Sequence, residues 1–116
     1  MPGHKMQRTN EDVHRELSDV IRKIKDPRVA GRLLTVVKVD VTNDLSYATV
    51  YVSAIEGLDV AKIAVAGLVS AQGFIRRELA LRLRLRHVPE LRFVADDSVA
   101  EGMRIFRQLE ELGEEN

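Results

Sequence analysis

An α+β fold is predicted, with one three-stranded sheet covered by helices on one face. Three observations carry it. Val13, Leu17, Val20, Ile21 and Ile24 repeat at helical spacing near the start of the chain. Two valine-rich runs then alternate around the polar turn Thr42-Asn43-Asp44. A long Ala, Val, Ile and Leu stretch follows, interrupted at Gly73, before a third strand-like run at 91–95. A strand, two helices and a strand in series imply a right-handed crossover into a parallel pair. The full order is helix, strand, strand, helix, break, helix, strand and a terminal helix.

Each element has its local reason. The first helix is expected over about 6–24, with Thr9 or Asn10 as cap and Glu11 and Asp12 near the positive end of its dipole. Pro27 stops it, and a loop runs to Gly31. Strand 33–41 places Val37, Val39 and Val41 on one face. Strand 45–54 sets Ala48, Val50 and Val52 against Tyr47, Thr49 and Tyr51. The expected core includes Val37, Val39, Ala48, Val50, Val52, Leu79 and Phe93. A helix opens at Asp59, breaks within 71–73, and resumes with Ile75, Leu79 and Leu83 on one stripe. Ser98 and Glu101 have capping-box spacing, ahead of an amphipathic helix with Met103 and Phe106 as packing anchors. Residues 110–116 are expected to fray.

A chain of 116 residues is one domain. It divides into a flexible start at 1–7, a core at 8–97 and a terminal helix with acidic tail at 98–116. Cysteine is absent, which removes disulfides and thiol chemistry and fits a reducing cytoplasm. No apolar run approaches the roughly 18 residues of a membrane span. His4, His14 and His87 lack metal-ligand spacing, and no cofactor fingerprint is present.

The net charge is zero, yet the charges are segregated. Six Arg and two Glu lie between Ser70 and Arg92, whereas seven acids and two Arg lie from Ala95 onward. Such a field orients a protein toward an anionic partner. Arg77 and Arg84 share a helix face if the helix persists between them, and guanidinium groups grip phosphate bidentately. The plainer reading is a solvated face, with Glu78 and Arg82 as an ordinary i,i+4 pair. Gly73 admits a close phosphate backbone or is a packing glycine. Asp96-Asp97 resembles a carboxylate pair, but acids before a helix serve its dipole and no partner base is evident. Tyr47 and Tyr51 offer a stacking face or an exposed strand face.

Several segments in order resemble the ribosome-binding factor A family of bacterial small-subunit assembly factors. They are Asp26-Pro27-Arg28, Val39-Asp40-Val41 through Ser53, Gly73 to Leu79, Leu83 to Phe93, and Asp96-Asp97-Ser98 with Gly102-Met103-Arg104-Ile105. The resemblance spans roughly residues 8–106 and implies a type II KH fold. In that family an Ala-x-Gly kink replaces the G-x-x-G loop, and Ala71-Gln72-Gly73 occupies that place. The resemblance further implies a cytoplasmic, monomeric, non-catalytic factor without cofactor. It would bind immature 30S subunits and 16S rRNA in late maturation, rRNA processing and cold adaptation. The RNA-contacting residues nominated are Ala71, Gly73, Arg76, Arg77, Arg84 and Arg86, extended by Lys23, Lys25 and Arg28. The rival reading is a protein-interaction module docking through the terminal helix; a small enzyme using Asp96-Asp97 is a third.

Overall fold

The computed structural model describes residues 2–115. The elements are α1 (Pro2–Arg22), β1 (Leu34–Val41), β2 (Tyr47–Ala54), α2 (Leu58–Ser70), α3 (Gln72–Leu83), β3 (Glu90–Asp96) and α4 (Ser98–Glu115). The sheet order is β1-β2-β3, with β1 antiparallel and β3 parallel to the central β2. This is the expected crossover. Among the described residues no single helix is long and apolar enough to cross a membrane.

The inner face of the sheet is apolar. Ala48, Val50 and Val52 of β2 are fully buried, beside Val39 and Val41 of β1 and Leu91 and Phe93 of β3. Helix α1 lays Val13, Leu17, Val20 and Ile21 beneath β1, and α2 lies beneath β2 and β3. Helix α3 packs against α1 and adds Ile75 and Leu79. Each large aliphatic side chain sealed in this way contributes about 1.5–3 kcal/mol. The outer face is wetter. There the Arg92 guanidinium lies 3.8 Å from the Tyr47 ring centre, and the Lys38 ammonium 6.0 Å from that of Tyr51. Tyr47 and Tyr51 therefore already carry cations on their rings.

Val37 departs from the expected core. The β1–β2 register shifts between Val36 and Lys38, so a bulge inserts one residue into the strand. Val36 turns inward while Val37 is 39% exposed, and alternation resumes at Val39. The first helix also differs, starting at Pro2 and not near Met6. Thr9 and Asn10 are thus interior to it, and the Asn10 side-chain oxygen Oδ1 instead accepts from the Val41 N–H at 3.0 Å. That bond ties α1 to the end of the edge strand.

The chain's end contradicts the sequence reading most. Asp96 Oδ1 accepts from the Ser98 N–H at 2.8 Å and from the Ser98 hydroxyl. Glu101 pairs with Arg104. Ser98 and Glu101 therefore use other partners than each other, and the capping box is replaced by an Asp96 turn. Helix α4 continues to Glu115 where fraying was expected. Its first turn covers Ser53, whose hydroxyl oxygen accepts from the Val99 N–H at 3.1 Å. Beyond that turn Phe106, Leu109 and Leu112 are exposed and Met103 is 36% exposed, so Met103 and Phe106 lie outside the buried core formed by the described residues.

Candidate nucleic-acid interface

The candidate site is the joint between α2 and α3, where the two helix axes differ by 72°. The break falls at Ala71, which has φ −91° and ψ 7° and serves as the end of one helix and the cap of the next. Its N–H donates to the Gly67 and Leu68 carbonyls, and its own carbonyl accepts from Ile75. Both helices therefore keep their backbone bonds across the bend. Gly73 lies within the first turn of α3, not at the break itself.

Two further residues fix the bend. The Gln72 side-chain carbonyl accepts from the Leu91 N–H at 3.0 Å, which pins the start of α3 to β3. Gly67 lets α2 approach the 26–29 turn. A Cβ there would sit 2.7 Å from a Val29 methyl carbon. Sequence reasoning singled out neither, since both depend on contacts with distant segments. Gly73 is the opposite case. No heavy atom lies within 4 Å of where its Cβ would be, so it is not a packing glycine.

The nominated cations fall into two groups. Arg28 is held internally. The Asp26 carboxylate accepts from its Nε at 3.0 Å, from Nη2 at 2.6 Å and from its backbone N–H at 2.9 Å. Nη2 also reaches the Ser70 hydroxyl at 3.1 Å, at the end of α2. The Arg28 side chain, then its backbone N–H, hold the Asp26 carboxyl down at about 2. Arg76 is also engaged. Its Nη2 donates to the Val88 carbonyl at 2.8 Å and clamps the 84–89 loop onto α3. Arg82, which carried the plain i,i+4 reading, sits 3.8 Å from Glu78 and also bridges to α1 through Asp19 at 2.5 Å and Glu16 at 3.3 Å.

Arg77, Arg84 and Arg86 are exposed and appear in no ion pair among the described residues. Helix α3 ends at Leu83, so Arg77 and Arg84 do not share a helix face. Arg84 is instead the left-handed cap, at φ 53° and ψ 40°. Lys23 pairs with Asp19 at 3.4 Å but stays exposed, and Lys25 is exposed beyond the end of α1. Gly73 is thus open beside the joint, Arg77 lies further along α3, and Arg84 and Arg86 lie past the far end of that helix, while Lys23 and Lys25 are exposed at the end of α1. The Ser98 hydroxyl and N–H hold the Asp96 carboxyl below its ordinary value, as expected of an acid engaged at a helix start. Among the described residues no cluster of His, Asp or Glu is placed to hold a metal.

The model of the ribosome-binding factor A family matches residues 5–109. The chain belongs to that family. Curated ribosome-binding factor A proteins from Acetivibrio thermocellus and Clostridium novyi are 40% and 43% identical to it over 113 and 116 residues. Those alignments cover 97% and 98% of this chain, and 91% and 94% of the relatives. The crystal structure of the Thermus thermophilus factor superposes with a TM-score of 0.66 at 30% identity, covering 78% of this chain and 93% of that one. A Thermus thermophilus model fitted into a cryo-EM map of a 30S complex gives 0.59 at 32% identity, covering 72% and 86%. The fold is accordingly the KH-like fold of the family. Ala71-Gln72-Gly73 forms the bend between its two adjacent helices.

Proposed function

We propose that this protein is a cytoplasmic, monomeric assembly factor that binds the immature small ribosomal subunit on its 16S rRNA. It acts without catalysis and without a cofactor, during late maturation, rRNA processing and growth in the cold. The observation that carries the reading is the sharp α2–α3 bend, with Gly73 open in the first turn after it and unengaged arginines along and beyond α3, at Arg77, Arg84 and Arg86. An RNA backbone can approach the bend closely at Gly73, and the guanidinium groups neutralise its phosphates. Ala71 sets the bend. Arg76 and Arg28 serve mainly as internal clamps that hold it, and Lys23 and Lys25 extend the positive patch. Phosphate contacts position the factor without reading sequence, so selectivity comes from RNA shape.

The 30S complex reported for the Thermus thermophilus factor supports a subunit partner for this chain as well. Replacing Arg77 and Arg84 together with Gln tests the reading in a salt series of small-subunit binding. Affinity should fall, and the slope should flatten by about 0.7–0.9 for each phosphate no longer neutralised. Arg104→Gln, on acidic α4, is the control. A control that weakens binding as much as the double change removes the joint as the RNA site.

A second reading has one observation in its favour. The apolar stripe of α4 is uncovered, as a helix docking onto a protein would require. Truncation after Asp97 that lowers subunit affinity with melting unchanged would support that contact.

A further inference from the structure

The bend uses α2, α3 and the end of α1. A separate groove lies on the other flank of α1. It is an open cavity of about 330 Å³, walled by α1, the 29–32 turn and the edge strand β1. No residue of α2, α3 or α4 lines it.

Its lining is sorted by chemistry. Ile21, Leu34 and Val36 form an apolar floor. His14 and Arg22 on α1 and Arg32 on the turn supply polar rims. His14, Ser18 and Arg22 follow at i, i+4 and i+8, so one stripe of α1 faces the groove. No Asp or Glu lines it. Neither Arg22 nor Arg32 appears in an ion pair among the described residues. The Nε of Arg32 donates to the Arg28 carbonyl at 3.2 Å, which fixes the guanidinium and leaves its terminal nitrogens for a ligand. Gly31, at φ +78°, makes the turn that places Arg32 there.

An apolar floor beneath two guanidinium groups and an imidazole suits a flat heterocycle joined to a phosphate. The volume falls at the lower end of small-ligand sites, roughly 300–1,000 Å³. Imidazole and guanidinium planes stack bases where aromatic platforms are scarce. We propose that this groove binds one nucleotide, with the base over Ile21 and Val36 and the phosphate on Arg22 and Arg32. The nucleotide comes either from a single-stranded RNA segment or from the free pool. The proposed ligand contacts, Arg22 and Arg32, are distinct from the residues nominated at the bend, although the 26–32 turn adjoins both.

Amide spectra of the full chain test it, titrated with AMP, with inorganic phosphate and with a short oligoadenylate. AMP or the oligomer should move Gly31, Arg32 and Thr35 saturably, and bind about tenfold more tightly than inorganic phosphate. Binding of the oligomer without AMP assigns the site to RNA; equal binding per nucleotide assigns it to free nucleotide. Arg22→Gln should weaken either ligand about tenfold. Thr35→Tyr, which fills the exposed mouth from a strand position that tolerates aromatics, should abolish the shifts. Arg77→Gln should leave them unchanged. The proposal is overturned by an absence of shifts with both nucleotide ligands, by equal affinity for inorganic phosphate, by indifference to Arg22→Gln, or by equal loss in Arg77→Gln.

Discussion

Helices α3 and α4 invert the usual relation between pattern and burial. Helix α4 has the broad apolar stripe, yet most of that stripe is exposed. Helix α3 is arginine-rich and buries only Ile75 and Leu79, yet it is fastened at every turn. Gln72 holds β3, Arg76 holds the 84–89 loop, and Arg82 holds α1. Periodicity states which face of a helix is apolar. Whether that face is covered depends on a surface elsewhere in the chain.

The contrast is broken most directly by matched deletions. Leu79→Ala should cost about 2–5 kcal/mol, because it empties a fully buried position. Leu109→Ala on α4 should stay within about 0.5 kcal/mol. Chemical denaturation measures both, and equal losses would show that α4 is packed in solution.

A smaller effect separates two neighbouring arginines. Arg76→Gln removes the bond to the Val88 carbonyl and leaves that acceptor wanting, which should cost about 1–3 kcal/mol. Arg77→Gln should leave melting nearly unchanged and weaken subunit binding instead. If the two residues exchange these phenotypes, the division between clamp and contact is wrong.

Gly73→Ala sharpens the same division within one residue. Alanine fits the open space at Gly73 and favours helix, so stability should rise by up to about 1 kcal/mol. Subunit affinity should nevertheless fall, because the added methyl occupies the approach to the backbone. Unchanged affinity would leave Gly73 without a binding role.

The smallest effect belongs to acid titration. Asp26 ionises more readily in the folded chain than in the unfolded one, at about 2 against an ordinary 3.8. Its contribution to stability is therefore complete above about pH 3.8, and is lost as pH falls toward and through 2. Asp26→Asn should remove that part of the acid dependence, read from melting curves between those limits.

The element order was legible because the helical stripe of α1 and the alternation of β2 are local properties. The parallel return of β3 followed from connection handedness. The Val37 bulge was hidden, since an extra residue in a valine run leaves the composition unchanged and only shifts the pairing. The break at 71–73 was legible from Gly73, though Ala71 makes it. The arginine cluster was visible, but its division was not. Arg82 finds Glu16 and Asp19 on another element, and Arg28 reaches Ser70 across the loop. The exposure of Met103 and Phe106 was equally hidden, because an apolar stripe looks the same whether or not a surface faces it.

The parallel pairing of β2 with β3 also sets an order of events during synthesis. β1 and β2 can zip together as soon as their short turn is made, since their partners are close in the chain. Tyr47 must wait for Glu90, with both helices of the crossover in between. Pairings so distant in sequence form late, because the intervening loop must close before they return any free energy. While the chain leaves the ribosome, the central strand therefore keeps one edge open until β3 emerges. In that interval α1, already made and packed beneath β1, covers part of the inner face of the hairpin, and α2 covers more of it as it emerges.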